Sequence, residues 1–394
     1  MDQEEFTIED ILAEIEAQDG AFSQENATAE AVGEKRAEKT GASPKKGGWH
    51  RFLRGLGWFG ALLAETVVLL VALAYGVMYV VCKGPSPTAR NLFVMTVRET
   101  SAVGWLANLY FSEEEIAQMG GSQEVDEFQE TDTSLITIAQ PSKEENLGPQ
   151  PDAWGLVDED GDGIILQQVK GEGYSGYMMV VLDPSRVIMG SKPEMFGVRG
   201  YTVAEMVQEF DAVAGINAGG FMDPQGNGNG SVPDTLVVYE GELYYRGSGV
   251  RTGFVGFDSN HIMHVATKIT PQEIEEKDIQ YGVCFGPVLI SNGERCSLNI
   301  SGVNPRTAIG QRSDGAVLLL VIDGRQVISM GATHEDLIDI MLEYGAVNAC
   351  NLDGGSSTLM WYDGDYVNNC ASVIGIRPVP TTFLVLKEGA GDNA

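Results

Sequence analysis

Near the C-terminal end of the chain, Asn351-Leu352-Asp353-Gly354-Gly355-Ser356-Ser357-Thr358 sets one carboxylate beside two glycines and three hydroxyls. The glycines permit positive φ and bare backbone N–H groups, which suits a loop that grips an anion or an oxygen-rich ligand. Taken alone, the same stretch also reads as an ordinary Asp-Gly turn between strands. An echo lies upstream, where Asn217-Ala218-Gly219-Gly220 again places Asn before a Gly-Gly pair. Between the two, Asn304-Pro305-Arg306-Thr307-Ala308 carries a cation among small residues. Asp323-Gly324-Arg325 then closes the apolar run Val317–Ile322. An acid ending a buried strand, with Arg306 on the strand before it, points to a site, because paired charges cluster at functional positions.

The elements that must position these residues repeat as well. Thr202 with Glu205 and Thr333 with Asp336 each write a capping box. Val203, Met206, Val207 and Phe210 follow the first at helical spacing, and Leu337, Ile340, Met341 and Tyr344 follow the second. Each helix leads into a strand, one ending at Asn217 and the other at Asn351. With both strands in one sheet and in one direction, the two glycine loops share an edge, where open α/β sheets bind ligands. Further strands are expected over Ile164–Val169, Tyr177–Leu182, Leu236–Tyr239, Leu243–Tyr245, Val317–Ile322 and Thr382–Leu386, with a hairpin at Glu240-Gly241-Glu242. The fold class is α+β: a mixed, strand-rich sheet with flanking helices, preceded by one transmembrane helix.

Along the chain, residues 1–48 are too polar to pack a core and read as a disordered cytoplasmic tail, with one short amphipathic stretch at Ile8, Ile11, Leu12 and Ile15. Residues 49–57 form a basic juxtamembrane segment. Residues 58–82 are apolar apart from Glu65, long enough to span a bilayer as a helix. Lys45, Lys46, Arg51 and Arg54 before the span keep the N-terminus cytoplasmic and the bulk of the chain outside. Residues 83–151 read as a helical stalk and acidic linker, residues 152–388 as the functional domain, and residues 389–394 as a tail. A net charge of −31 argues against nucleic acid as a partner. Oligomeric state is left open.

No cofactor is expected. Asp158-Glu159-Asp160-Gly161-Asp162-Gly163 begins like a calcium loop, but its twelfth position is Val169 where an EF-hand needs Glu, so an acidic turn is the preferred reading over calcium. The cysteines match no zinc spacing. Cys284 and Cys296 stand as candidates to bridge a hairpin, and Cys350 as a small apolar filler. The chain has no Gly-x-Ser-x-Gly elbow for a serine hydrolase.

Asn217-Ala-Gly-Gly-Phe221, Asn304-Pro-Arg-Thr-Ala308, Asp323-Gly-Arg325, Asn351-Leu-Asp-Gly-Gly-Ser356 and the closing Arg377-Pro-Val occur in an order that resembles the phosphodiester glycosidase family. Its animal member is an "uncovering enzyme" that removes N-acetylglucosamine from a sugar-1-phosphodiester, and its bacterial members are often exopolysaccharide-related. The resemblance covers roughly Gly173 to Leu386 and departs at Ser356, where a third Gly is common. It implies hydrolysis at the anomeric carbon of a carbohydrate phosphodiester by a hydrolase of the cell envelope. The alternative is a non-catalytic protein that binds glycan phosphates. A third possibility is a metal-dependent phosphodiesterase using Asp158–Asp162, Asp323 and Asp353. In the glycosidase reading Asp353 is the acid, base or nucleophile, Asp323 its partner carboxylate, and Arg306 the phosphate ligand with the Gly219, Gly220, Gly354 and Gly355 amides. Asn217 and Asn351 hold sugar hydroxyls, and Ser356, Arg325 and Arg377 complete the substrate-binding set.

Overall fold

The computed structural model describes residues 47–100, 103–120, 130–138, 149–223, 229–247, 253–372 and 374–389. Residues 1–46 of the expected tail lie outside the described residues. The chain divides into two compact units, Met1–Gly76 and Val77–Ala394. Helix α1 (Gly47–Lys83) contains a stretch, Arg54–Lys83, long and apolar enough to cross a membrane. Its apolar side chains, Trp58, Leu62, Val68 and Leu73 among them, are exposed.

In the larger unit, helices α2 (Pro87–Arg98) and α3 (Glu113–Gly120) flank a 3-10 turn, Gly104–Leu109. Ser86 caps α2 through the Ala89 N–H, and Pro87 sits at its first position, where no amide donor is needed. Val94, Val97, Ala107, Phe111 and Ile116 bury one another between these helices. The helical part of the expected stalk thus packs in the same compact unit as the domain that follows, and the Cα of Thr96 approaches Gly302 so closely that no Cβ would fit there.

The domain has three sheets, and every strand pairing in them is antiparallel. The central sheet has seven strands in the order β1 (Ile164–Gly171), β2 (Tyr174–Val181), β13 (Val317–Ile322), β12 (Arg306–Arg312), β14 (Ala346–Leu352), β10 (Val288–Ser291) and β11 (Glu294–Arg295). A second sheet joins β16 (Asp365–Tyr366), β15 (Met360–Tyr362), β4 (Ala212–Asn217), β17 (Thr381–Leu386) and β3 (Val187–Ser191). A third joins β6 (Glu242–Arg246), β5 (Leu236–Tyr239), β9 (Ile279–Cys284), β7 (Phe254–Asp258) and β8 (Met263–Ala266).

Two cores explain the continuous apolar run of β13. Leu318, Leu320 and Ile322 face Leu337, Ile338 and Met341 of helix α5 (His334–Glu343). Leu319 and Val321 face the opposite core, where Ile216, Phe383, Val255 and Val283 come from the other two sheets. A strand covered on both faces carries no polar alternation. Helix α4 (Val203–Glu209) buries Val203, Met206 and Val207 against Leu384 and Leu359. Both expected capping boxes are formed.

The strands ending in the two Asn-Gly-Gly loops are not in one sheet, contrary to expectation. β14 pairs with β12 and β10, whereas β4 pairs with β15 and β17. The echo in sequence is local, and the choice of pairing partner is not. Cys284 and Cys296 are free thiols, as is Cys350, which is buried. Burial alone pushes the Cys296 thiol up to about 11.

Candidate active site

The register of the central sheet gathers three chain ends at one edge. Arg306 starts β12 opposite Ile322 at the end of β13, and Thr307 lies opposite Leu352 at the end of β14. β4 reaches the same place from the second sheet through Asn217, which is fully buried. Its Nδ2 donates to the Asp353 carbonyl, and its Oδ1 accepts from Thr307 Oγ1 (2.9 Å) and Leu359 N (3.1 Å). Asp353 N donates in turn to the Ala218 carbonyl at 2.9 Å. The two glycine-bearing loops are therefore direct neighbours, held by one side chain whose polar atoms are all used. Asn217, expected to hold a sugar hydroxyl, instead clamps the loops together.

Each remaining expected residue has a definite place. Gly219 N donates to Thr381 Oγ1 at 3.0 Å, so this amide is occupied within the protein. Gly220 is buried, and its carbonyl accepts from Asp234 N at 3.2 Å. Asn351 is buried, with Nδ2 donating to the Gly286 carbonyl (2.8 Å) and Oδ1 left without a partner. Asn351 therefore anchors the strand end to Gly286 and does not reach the loop mouth. Gly354 passes so close to Pro305 that a Cβ there would lie 2.7 Å from its carbonyl oxygen. Gly355 takes φ +62, the left-handed region that favours glycine, and its N–H donates to the Pro305 carbonyl at 2.8 Å. A Cβ on Gly355 would meet Arg325 Nη2 at 3.3 Å, so the guanidinium lies flat against this loop.

Arg377 is the cation that joins the two loops. It pairs with Asp223 (2.6 Å), lies over the Phe221 ring (5.0 Å to the centroid) and donates to Ser356 Oγ (3.4 Å). Arg306, expected on the phosphate, is placed differently. Its Nε donates to the Ala332 carbonyl (3.1 Å), and its Nη2 donates to Glu99 Oε2 and the Gly302 carbonyl (2.7 Å each). Burial pulls its pKa down and Glu99 pushes it back up. Alternation along β12 is the reason: Thr307 points to Asn217, so Arg306 points to the other face. Asp323, expected as a second working carboxylate, is also committed. It is buried and accepts from Asn368 Nδ2 (3.1 Å), Asn369 N (3.0 Å) and Asn369 Nδ2 (3.2 Å). It holds the 368–369 turn under Thr358, whose carbonyl also accepts from Asn368.

Asp353 is half-buried in the loop that carries Gly354 and Gly355, Arg325 is exposed against Gly355, and Arg377 donates to Ser356 in the same loop. Among the described residues, the Arg325 side chain donates only to neutral acceptors, Thr100 Oγ1 and Asn304 Oδ1, at 3.3 Å each. Its charge is thus available to an anion.

Sequence reasoning missed Glu99. This carboxylate, just past α2, accepts from Gly302 N (2.8 Å), Asn304 Nδ2 (3.0 Å) and Arg306 Nη2 (2.7 Å). A lone acid more than 200 positions upstream of its partner carries no signal in the sequence. Asp223 opens a polar, glycine-rich stretch, residues 223–231, of which residues 224–228 lie outside the described residues. His334 sits beside Arg306 with Nε2 buried and unpartnered, and burial followed by the Arg306 charge holds its pKa well below the usual histidine range. The carboxylates of Asp158, Asp160 and Asp162 converge within 4.8 Å. Two of them are turn acceptors, Asp158 for Gly161 N and Gly163 N and Asp162 for Ile164 N, in keeping with the acidic turn.

Residues 210–386 match the family model described as phosphodiester glycosidase. An uncharacterized SPbeta prophage-derived protein of Bacillus subtilis, YomE, is 32% identical over 206 residues, covering 49% of this chain and 31% of that protein. The chain thus spans about a third of the length of the curated relative it matches. Among solved structures, the zebrafish N-acetylglucosamine-1-phosphodiester alpha-N-acetylglucosaminidase catalytic domain, auto-inhibited by its pro-peptide, superposes with a TM-score of 0.46 at 18% identity, covering 57% of this chain and 82% of that one. A hypothetical protein from Synechocystis gives 0.41 at 17% identity, with 57% and 62% covered. Over residues 210–386, somewhat under half of its length, the chain is thus similar to the phosphodiester glycosidase family.

Proposed function

We propose that the chain is a membrane-anchored hydrolase that cleaves the glycosidic bond of a sugar-1-phosphodiester outside the cell, in envelope or exopolysaccharide metabolism. The observation that carries this reading is the junction of Asn217 with Asp353, which brings a half-buried carboxylate to the edge where Arg325 and Arg377 stand. The family-model match over residues 210–386 supports a glycosidase-type activity, and the apolar helix with basic residues before it supports the anchor and its orientation.

In this mechanism Arg325 receives the phosphate, since a guanidinium pairs with phosphate oxygens through directional, charge-assisted bonds. Arg377 fixes the Ser356 hydroxyl and the Phe221 loop around the sugar. A water oxygen bonds to the anomeric carbon as the bond from that carbon to the phosphate oxygen breaks. The electron pair leaves with the phosphate, which becomes a monoester. Asp353 takes the proton from water and stabilises the cationic centre. A phosphate monoester leaves readily, so no strong acid is needed on its side. This removes the demand for a second working carboxylate, which suits the burial of Asp323.

The test is release of free sugar from an N-acetylglucosamine-1-phosphodiester by the full chain. Asp353→Asn should lower turnover by about 10²–10⁴, the usual contribution of a positioned proton acceptor. Binding of the diester without any release by the native chain would leave the non-catalytic reading in its place.

A further inference from the structure

The turn that follows Arg325 breaks the usual chemistry of a hairpin tip. Gln326 and Ser329 pair across it (2.9 and 3.2 Å), so Val327 and Ile328 form the two-residue tip of a hairpin. Such tips favour Gly, Asn and Asp, because the backbone twists there and side chains meet water. Here the tip carries two β-branched apolar residues, 100% and 79% exposed, followed by Met330 at 61%. The turn is also firmly held. Ser329 is fully buried and donates to the Asp323 carbonyl at 2.6 Å, while Met330 N donates to the Gly173 carbonyl at 2.7 Å. A fixed apolar tip is therefore presented beside the one guanidinium at the mouth whose described bonds go only to neutral acceptors.

The other side of Arg325 meets the segment of chain that follows the span. Thr100, its hydrogen-bond partner, follows directly on α2 and Glu99. Helix α2 has 12 residues, a length of ~18 Å, and only three residues separate it from Lys83, the last residue of α1. Lys83 folds back onto the end of the 3-10 turn: its Nζ donates to the Tyr110 carbonyl (3.0 Å) and lies 4.3 Å from the Phe111 ring centroid. That turn exposes Trp105 and Leu109. A lysine that ends an apolar helix and binds a segment exposing a tryptophan is the residue set of a membrane–water interface.

We propose that the group on the far side of the substrate phosphate is a lipid chain, so that the substrate is a sugar joined through phosphate to a membrane-resident alcohol. This rests on the phosphodiester reading above. The phosphate of such a lipid lies at the bilayer surface, and Arg325, bonded to Thr100 just past the short helix that follows the span in sequence, is the group that would receive it. Val327, Ile328 and Met330 then meet the first methylene groups of the chain. The products are free sugar and a lipid monophosphate that stays in the bilayer, so a lipid phosphatase or a sugar-transfer enzyme must consume it.

The test uses two water-soluble diesters of N-acetylglucosamine 1-phosphate, one with methanol and one with hexanol, and the full chain in lipid nanodiscs. Soluble aglycones remove any effect of partitioning into lipid. The hexyl diester should show kcat/KM at least about tenfold above the methyl diester, the effect of burying about two methylene groups. In the Val327→Ser, Ile328→Ser, Met330→Ser variant, that ratio should fall close to one. Equal rates in the native chain would overturn the lipid proposal and leave hydrolysis standing, and so would a ratio that survives in the variant. Cleavage of neither diester would remove both this proposal and the reading beneath it.

Discussion

Replacing Asn217 by alanine removes the buried side chain that, alongside Arg377, ties the two glycine loops together. Three hydrogen bonds disappear with it, to the Asp353 carbonyl, from Thr307 Oγ1 and from Leu359 N. Thr307 and Leu359 are buried, so water does not reach the groups left behind. At ~1 kcal/mol net for each bond, the loss is about 3 kcal/mol. A domain of this size loses roughly 2–4 °C in Tm for each kcal/mol, so the shift is about 6–12 °C. Asn217→Asp is the sharper variant. It keeps an oxygen to accept from Thr307 and Leu359 but sets a carboxylate oxygen against the Asp353 carbonyl, where Nδ2 donated. We expect it to melt no higher than the alanine variant, although it restores most of the volume. Calorimetry of the detergent-solubilised chain, with sugar release measured alongside, reads both effects. An alanine variant that melts within about 2 °C of the native protein and keeps full turnover would refute the claim that Asn217 holds the site together.

Glu99→Ala strips the buried Arg306 of its acid partner and leaves Gly302 N and Asn304 Nδ2 without an acceptor. Fully buried pairs cost about 3–5 kcal/mol to break. The Glu99 side chain is 25% exposed, so we expect about 2–3 kcal/mol by denaturant titration, with strong coupling to Arg306→Met in a double-mutant cycle. Additive losses would contradict the pair. Arg325→Met should raise KM for the diester more than it lowers kcat, which steady-state kinetics will show. His334 is held neutral, its folded pKa below the unfolded value near ~6.5. Between those two values the unfolded chain binds more protons, so this stabilising contribution is complete above ~6.5 and is lost as pH falls below it. Melting curves from pH 7.5 to 5 should therefore fall more steeply for the native chain than for His334→Gln, and parallel curves would count against this.

Local chemistry was legible and long-range pairing was not. The capping boxes at Thr202 and Thr333 are written within four residues and appear where expected. The strand Val317–Ile322 was plain because burial on both faces leaves a run without polar interruption. That Asn217 and Asp353 meet could be read from the repeated helix, strand and Asn-Gly-Gly. Their assignment to different sheets could not, because it depends on β4 choosing β15 and β17, both far along the chain. Arg306 shows the limit most clearly. The motif around it is conspicuous, yet one step of strand alternation sends Thr307 to the site and Arg306 to Glu99. The spacing of arginines does not reveal that Arg377 bridges the loops or that Arg325 lies against Gly355. Those facts follow from the left-handed turn at Gly355 and the loop packing around it.

The most direct test is hydrolysis of a sugar-1-phosphodiester in oxygen-18 water, with the label located by mass spectrometry. We expect the label in the anomeric hydroxyl of the released sugar and none in the phosphate monoester. Label in the phosphate would mean attack at phosphorus, and would contradict a glycosidase built around Asp353.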